Sequence, residues 1–208
     1  RLRGPVTKHP STLIPILRRA AEDYAKMGVT YVELSLGSLV TARVLREIHA
    51  QVPAIEDETG VTLRFLLALS RHDDLEWDMD LLRRVETLAG SVYVAGIDVM
   101  GHETNSTHAF ASQLEAFAAW ASRSRPGFVV RVHAGESPSH PENVRLAVET
   151  LRGHDVTVRI GDGLYGVDEP TVAALVETGT FVELNLDSNV ALNHLQSGRD
   201  LPLLGYVQ

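Results

Sequence analysis

Cysteine is missing from all 208 residues. Its absence removes disulfides and thiolate metal sites, so any metal must rest on His, Asp or Glu. No apolar run approaches the roughly 20 residues needed to span a bilayer. Arg1 to Pro10 also lacks the apolar stretch of a signal peptide. A cytoplasmic protein without membrane association is therefore expected. Basic residues are outnumbered, 19 Lys and Arg against 27 Asp and Glu, for a formal charge of -8. They are also scattered, which argues against bulk nucleic-acid binding, since that requires a concentrated positive patch. Neither G-x-G-x-x-G nor a P-loop occurs. This removes the glycine-rich turn that a nucleotide-binding doubly wound sheet places after its first strand.

What is present is ordinary for a folded chain, with 44% hydrophobic and 22% charged residues. No linker, low-complexity tract or composition break divides it, so one domain over residues 1–208 is expected. Ser11 is placed to cap a first helix, Leu13, Ile16, Leu17, Ala20, Ala21 and Tyr24 form its apolar stripe, and Gly28 stands where it should stop. Six short apolar runs follow: "VTYVELSL", "VTLRFLLALS", "VYVAGIDVM", "GFVVRVHA", "VTVRI" and "TFVELNL". Between them lie helical stripes such as Phe110, Leu114, Phe117 and Ala121, or Val144, Ala147, Val148 and Leu151. Strands alternating with helices imply parallel pairing.

The strands themselves favour a TIM-type (β/α)8 barrel over a doubly wound sheet. Parallel strands covered on both faces should be almost continuously apolar. Here period-two alternation puts Glu33 with Ser35, Arg131 with His133, and Glu183 with Asn185 on one face each. Polar groups toward the C-terminal ends of successive strands are what a barrel enzyme uses to build its site. Six strands are two short of closure, so the first and last strands are expected to be missing and the domain incomplete.

"VRVHAGES" ends one of these strands in His133, Ala134, Gly135 and Glu136. One reading is a metal site: the imidazole ligates, the metal acidifies a bound water, and the carboxylate moves protons. The small residues would let a ligand approach the backbone. The other reading is a surface histidine, with Glu136 capping the next helix.

The motifs resemble those of the adenosine deaminase family of metal-dependent amidohydrolases, whose fifth strand ends in H-A-G-E and sixth in R-I-G-H-G. The matches are "YVEL" at Tyr31 to Leu34, "GIDVMGHE" at Gly96 to Glu103, "HAGE" at His133 to Glu136, "RIGDG" at Arg159 to Gly163, and Ser188 with Asn189. They run in the family's order over most of the chain. The resemblance implies a zinc-dependent hydrolase that replaces the 6-amino group of adenosine or a related adenine compound by hydroxyl. It makes His133 a zinc ligand and Glu136 the donor of a proton to the purine ring, a general-acid role that burial favours. Gly101 and Gly135 would contact the substrate through their backbone, although a plain turn glycine accounts equally well for Gly101. The implied partner is a small purine nucleoside or base.

The chain departs from the family at several points. Asp162 stands where the family has a histidine that orients the attacking water. An aspartate there can accept a hydrogen bond from that water or ligate zinc, but it brings negative charge. No H-x-H pair occurs, and the family's C-P pair is replaced by Asn185 and Leu186. One zinc per chain is expected in the complete protein, and weak or absent zinc in this chain. The chain then reads as part of a longer enzyme, as a fragment completed by missing segments or another copy, or as a catalytically degenerate purine-binding or assembly module. Other features invite plainer readings. His102, His108, His140 and His154 suit solvated or capping roles, the acidic "RHDDLEWDMD" at 71–80 lacks the pattern of a calcium loop, and Glu33 reads as a structural carboxylate.

Overall fold

The structure is a computed structural model that describes residues 10–37, 41–72, 91–192 and 194–207. Arg1 to Gly4 and most of the acidic stretch, from Asp73 to Asp80, lie outside the described residues. The chain order is α1 (Pro10–Lys26), β1 (Tyr31–Leu36), α2 (Ala42–Thr59), β2 (Thr62–Ser70), β3 (Val94–Met100), a 3-10 turn (Thr107–Phe110), α3 (Ala111–Ser124), β4 (Phe128–Ala134), α4 (Asn143–Leu151), β5 (Val156–Asp162), α5 (Glu169–Thr178), β6 (Phe181–Glu183), α6 (Leu186–Ala191), a 3-10 turn (Gly198–Asp200) and α7 (Leu203–Tyr206). The strands follow one another in chain order in a six-stranded sheet. This is the alternation read from the apolar periodicity.

The described residues form two compact units. One holds residues up to Leu69 with 91–97, and the other holds 70–72 with Asp98 onward. In the first unit β1 and β2 pair in parallel, Tyr31 opposite Thr62 through Leu36 opposite Leu67. Helix α2 has both of its ends specified. Thr41 accepts from the Val44 amide, and Gly60 closes the helix in the left-handed region at φ 70°. Between them Val44, Leu45, Ile48, Val52 and Ile55 make its buried face. Each such side chain contributes about 1.5–3 kcal/mol on burial. Helix α1 begins at Pro10, one residue before the Ser11 cap read from the sequence. Leu13, Leu17 and Ala21 of its stripe are buried. Glu33 accepts a hydrogen bond from the Tyr31 hydroxyl at 2.6 Å.

In the second unit β4, β5 and β6 pair in parallel. The stripes of α3 and α4, Leu114, Phe117 and Ala121 on one and Val144, Ala147, Val148 and Leu151 on the other, are all buried. Strand β6 is shorter than "TFVELNL" suggested. The backbone leaves the sheet after Glu183 and turns into α6, where the Asn185 and Asn189 side chains are drawn onto Asp162. Strand β5 runs two residues past "VTVRI", to Asp162. That extension puts Asp162 beside the end of β4.

Candidate active site

The parallel register of β4 and β5 sets His133 opposite Gly161 and Ala134 opposite Asp162. A side chain at Gly161 would bring its Cβ to 3.2 Å from three atoms of the His133 ring. The missing side chain is what lets the imidazole lie against the neighbouring strand. His133 Nδ1 is 2.9 Å from Asp162 Oδ2, and Nε2 is 3.4 Å from Asp98 Oδ1. Burial alone would lower the pKa of this imidazole. The hydrogen bond to Asp162 and the nearby Asp98 carboxylate, with the charges of both, override burial and push it up to about 9.

Asp98 is fully buried in the middle of β3 and needs a partner there. Arg131 supplies a bidentate one, with Nε donating to Oδ1 at 2.9 Å and Nη2 to Oδ2 at 2.6 Å. Burial pushes the Asp98 carboxyl upward, but the bonds from Arg131 and then the neighbouring His133 imidazole hold it well below the usual range. Arg131 Nη1 also donates to Glu183 Oε2 at 3.1 Å, and Arg159 donates to the other oxygen of Glu183 at 3.4 Å. The alternation that put Arg131 and His133 on one face therefore feeds an ion-pair network in which Asp98 of β3 and Glu183 of β6 bracket Arg131 of β4 and Arg159 of β5.

Asp162 adopts φ 83°, the left-handed region unusual for a residue with a side chain. Its Oδ1 accepts from Asn185 at 3.1 Å and from Asn189 at 3.0 Å, while Oδ2 faces His133. Burial raises this carboxyl, and the bonds from His133, Asn185 and Asn189 bring it below its ordinary value. Asp162 is an ionised group held by three side chains.

Glu136 is buried, and its Oε1 lies 3.4 Å from His194 Nε2. The buried Arg71 guanidinium, lowered by burial, is supported first by the charge of Glu103 and then by that of Glu136. Gly135 sits at φ 73°, and a Cβ there would lie 2.6 Å from the Tyr165 carbonyl oxygen and 2.9 Å from Val144 Cγ2. Its carbonyl accepts from the Leu164 and Tyr165 amides. Gly135 thus packs against the loop after β5. Gly101, at φ 129°, has Arg71 Cγ at 3.4 Å and His72 Cδ2 at 3.5 Å from the position of a Cβ. Of the other histidines singled out, His140 pairs with Glu142 at 3.3 Å and the His102 carbonyl faces His72 Nε2 at 2.6 Å.

The structure brings His133 and Asp162 into direct contact. Glu136 follows the same strand end, with the charge of Arg71 acting on it. Sequence reasoning missed Asp98, Arg71, Glu103 and His194 as site residues. A charge inside the apolar run "VAGIDVM" was the available sign for Asp98, and nothing in the local sequence marks His194.

Zinc asks for four donors. His133 Nε2 is buried and makes no hydrogen bond, but it faces the Asp98 carboxylate at 3.4 Å, so a metal there would have to displace the proton that this contact favours. Asp98 spends both oxygens on Arg131, and Asp162 engages the opposite ring nitrogen. Among the described residues no three of His, Asp and Glu are grouped to hold a metal ion. By themselves they do not fit one.

The sequence model of the adenosine deaminase family matches residues 4–208. No curated protein matches the chain. Among solved structures the chain is similar to an adenine deaminase from Arthrobacter aurescens, with TM-score 0.76 and 21% identity over 96% of this chain. It is also similar to an amidohydrolase with bound Zn from Burkhoderia ambifaria, with TM-score 0.69 and 22% identity over 84% of this chain. At these identities the likeness shows the fold, a (β/α)-barrel type of which six strands are described. The chain spans 60% of the first structure's length and 48% of the second's.

Proposed function

The chain belongs to the adenosine deaminase family, and from that premise we propose that the whole protein hydrolyses the exocyclic amine of an adenine-type base or nucleoside, releasing ammonia. The observation that carries this reading is the end of β4. There a histidine, its buried Nε2 facing the Asp98 carboxylate at 3.4 Å without a hydrogen bond, and a buried glutamate stand three residues apart.

In this reaction water adds through oxygen to the carbon bearing the amine, and the carbon-nitrogen bond breaks with its electron pair leaving on nitrogen. Glu136 gives its proton to the adjacent ring nitrogen, which makes that carbon electrophilic. Of the two water protons, one departs on ammonia and one restores Glu136. Gly101 offers backbone to the base. Gly135, packed against Tyr165 and Val144, serves the placement of Glu136. Asp162 holds His133 through Nδ1, which leaves Nε2 directed away from it.

The family is generally metal-dependent, and the amidohydrolase neighbour holds Zn. In our reading the complete protein holds one zinc per chain, with His133 Nε2 as one donor and the remaining donors outside the described residues. Glu136→Gln in the whole protein is expected to abolish ammonia release from adenine or adenosine while zinc content stays unchanged. Loss of zinc together with activity would show that Glu136 belongs to the metal site instead.

A non-catalytic purine-binding or assembly module is the second reading. It is favoured by Asp162, which stands where the family has histidine and is held by three side chains. Under it, adenosine raises thermal stability and no ammonia appears.

A further inference from the structure

The turn that carries Glu136 is held by a carboxylate from another strand end. Glu103 follows β3, and its side chain is almost wholly buried. Its Oε1 accepts from the Gly135 amide at 3.0 Å and from Asn143 Nδ2 at 2.7 Å, and its Oε2 accepts from the Ser137 amide at 2.7 Å. The two amides flank Glu136, one on each side. Arg71, also buried, balances the charge. Its Nη1 lies 3.7 Å from Glu103 Oε1 and donates to the His133 carbonyl at 3.1 Å. Arg71 is itself fixed by Asn105, through Oδ1 at 2.7 Å and the carbonyl at 3.0 Å. Asn143 is anchored in turn by the Thr107 amide, which donates to its Oδ1 at 2.6 Å.

A buried charged carboxylate is costly unless its lone pairs are filled. Here they are filled by the backbone on both sides of one residue. We infer that Glu103 is a positioning residue for Glu136: by bridging the amides of Gly135 and Ser137 it fixes the peptide planes before Gly135 and after Glu136, while the plane between them is held by the Leu164 and Tyr165 amides on the Gly135 carbonyl, and together these set the direction in which the Glu136 side chain leaves the chain. The inference rests on the deaminase reading above, because Glu136 has a proton to deliver only there.

The chemistry makes Glu103→Gln a sharp perturbation of nearly unchanged volume. A carboxamide has one accepting oxygen. With that oxygen on Gly135 and Asn143, its NH2 faces the Ser137 N–H, donor against donor, and the bridge loses one arm. A displacement of about 1 Å at a catalytic group costs roughly 100-fold in rate.

The test measures ammonia release, KM, zinc content and amide hydrogen exchange of the whole protein, wild type against Glu103→Gln. The expected result is a fall of roughly 100-fold in kcat with KM and zinc content unchanged, and faster exchange confined to the Gly135 and Ser137 amides. Glu103→Asp is the second variant. It keeps the charge beside Arg71 but is too short to reach both amides, so it repeats the effect if Glu103→Gln fails to fold. Unchanged kcat in either folded variant overturns the inference. So does a loss of kcat accompanied by faster exchange throughout the unit, which marks a merely structural role. A wild-type protein that releases no ammonia refutes the deaminase reading and the positioning role with it. Exchange at the two amides then still reports whether the bridge exists.

Discussion

Replacing Gly135 with alanine tests whether the turn that carries Glu136 is as tightly built as its geometry indicates. Two costs add. The first is conformational: φ 73° lies in the left-handed region, which costs a residue with a Cβ about 1–2 kcal/mol. The second is steric. The added Cβ would stand 2.6 Å from the Tyr165 carbonyl oxygen and 2.9 Å from Val144 Cγ2, and the closer neighbour is backbone that must shift as a unit. Overpacking of this kind costs about 1–3 kcal/mol. Gly153→Ala separates the terms, because Gly153 has nearly the same φ, 81°, and nothing within 4 Å of an added Cβ. Gly153→Ala should therefore lose about 1–2 kcal/mol and Gly135→Ala about 2–5 kcal/mol. At about 2–4 °C per kcal/mol for a chain of this size, the second variant should melt clearly below the first. Thermal and denaturant unfolding of the whole protein measure both. Equal losses in the two variants would refute the claim that Gly135 is walled in by protein.

Other perturbations reach different parts of the site. Arg131→Met removes the bidentate partner of the fully buried Asp98 and should cost about 3–5 kcal/mol in denaturant unfolding, because the buried charge loses both its hydrogen bonds and keeps only the 3.4 Å contact with His133. Arg152→Ala, which breaks the exposed pair with Glu177, should cost under about 1 kcal/mol. Tyr206 donates to the Gly163 carbonyl at 2.6 Å, and burial pushes its hydroxyl up to about 12. The folded state thus holds this proton more tightly than the unfolded chain. The corresponding stability is complete below the ordinary tyrosine pKa of about 10 and is lost as pH rises through about 12. Tyr206→Phe should flatten that alkaline decline in a series of unfolding curves.

The strands and helices were legible because their apolar residues keep strict periods. The stripes of α3 and α4 read from the sequence are the buried faces of those helices. Boundaries were less legible where side chains compete for the backbone. "TFVELNL" reads as seven strand residues, but only Phe181 to Glu183 form β6. The site was visible as motifs and not as contacts. His133, Glu136 and Asp162 stand out by residue type, whereas the partners that fix them come from afar. Asp98 and Glu103 are about thirty positions from the groups they hold, and Arg71 reaches across 62 positions to the His133 carbonyl. Such pairings depend on strand register, which local sequence does not encode. Asp162 was legible as an aspartate where the family has histidine, but its contacts with His133, Asn185 and Asn189 were not.

The most direct test of the central claim is ammonia release from adenine and adenosine by the whole protein, with elemental zinc measured on the same sample. The account predicts about one zinc per chain and ammonia released in step with substrate loss. Zinc-free protein that binds adenosine and releases nothing would contradict it, and would mark a barrel that kept the sequence of a catalytic strand end without its chemistry.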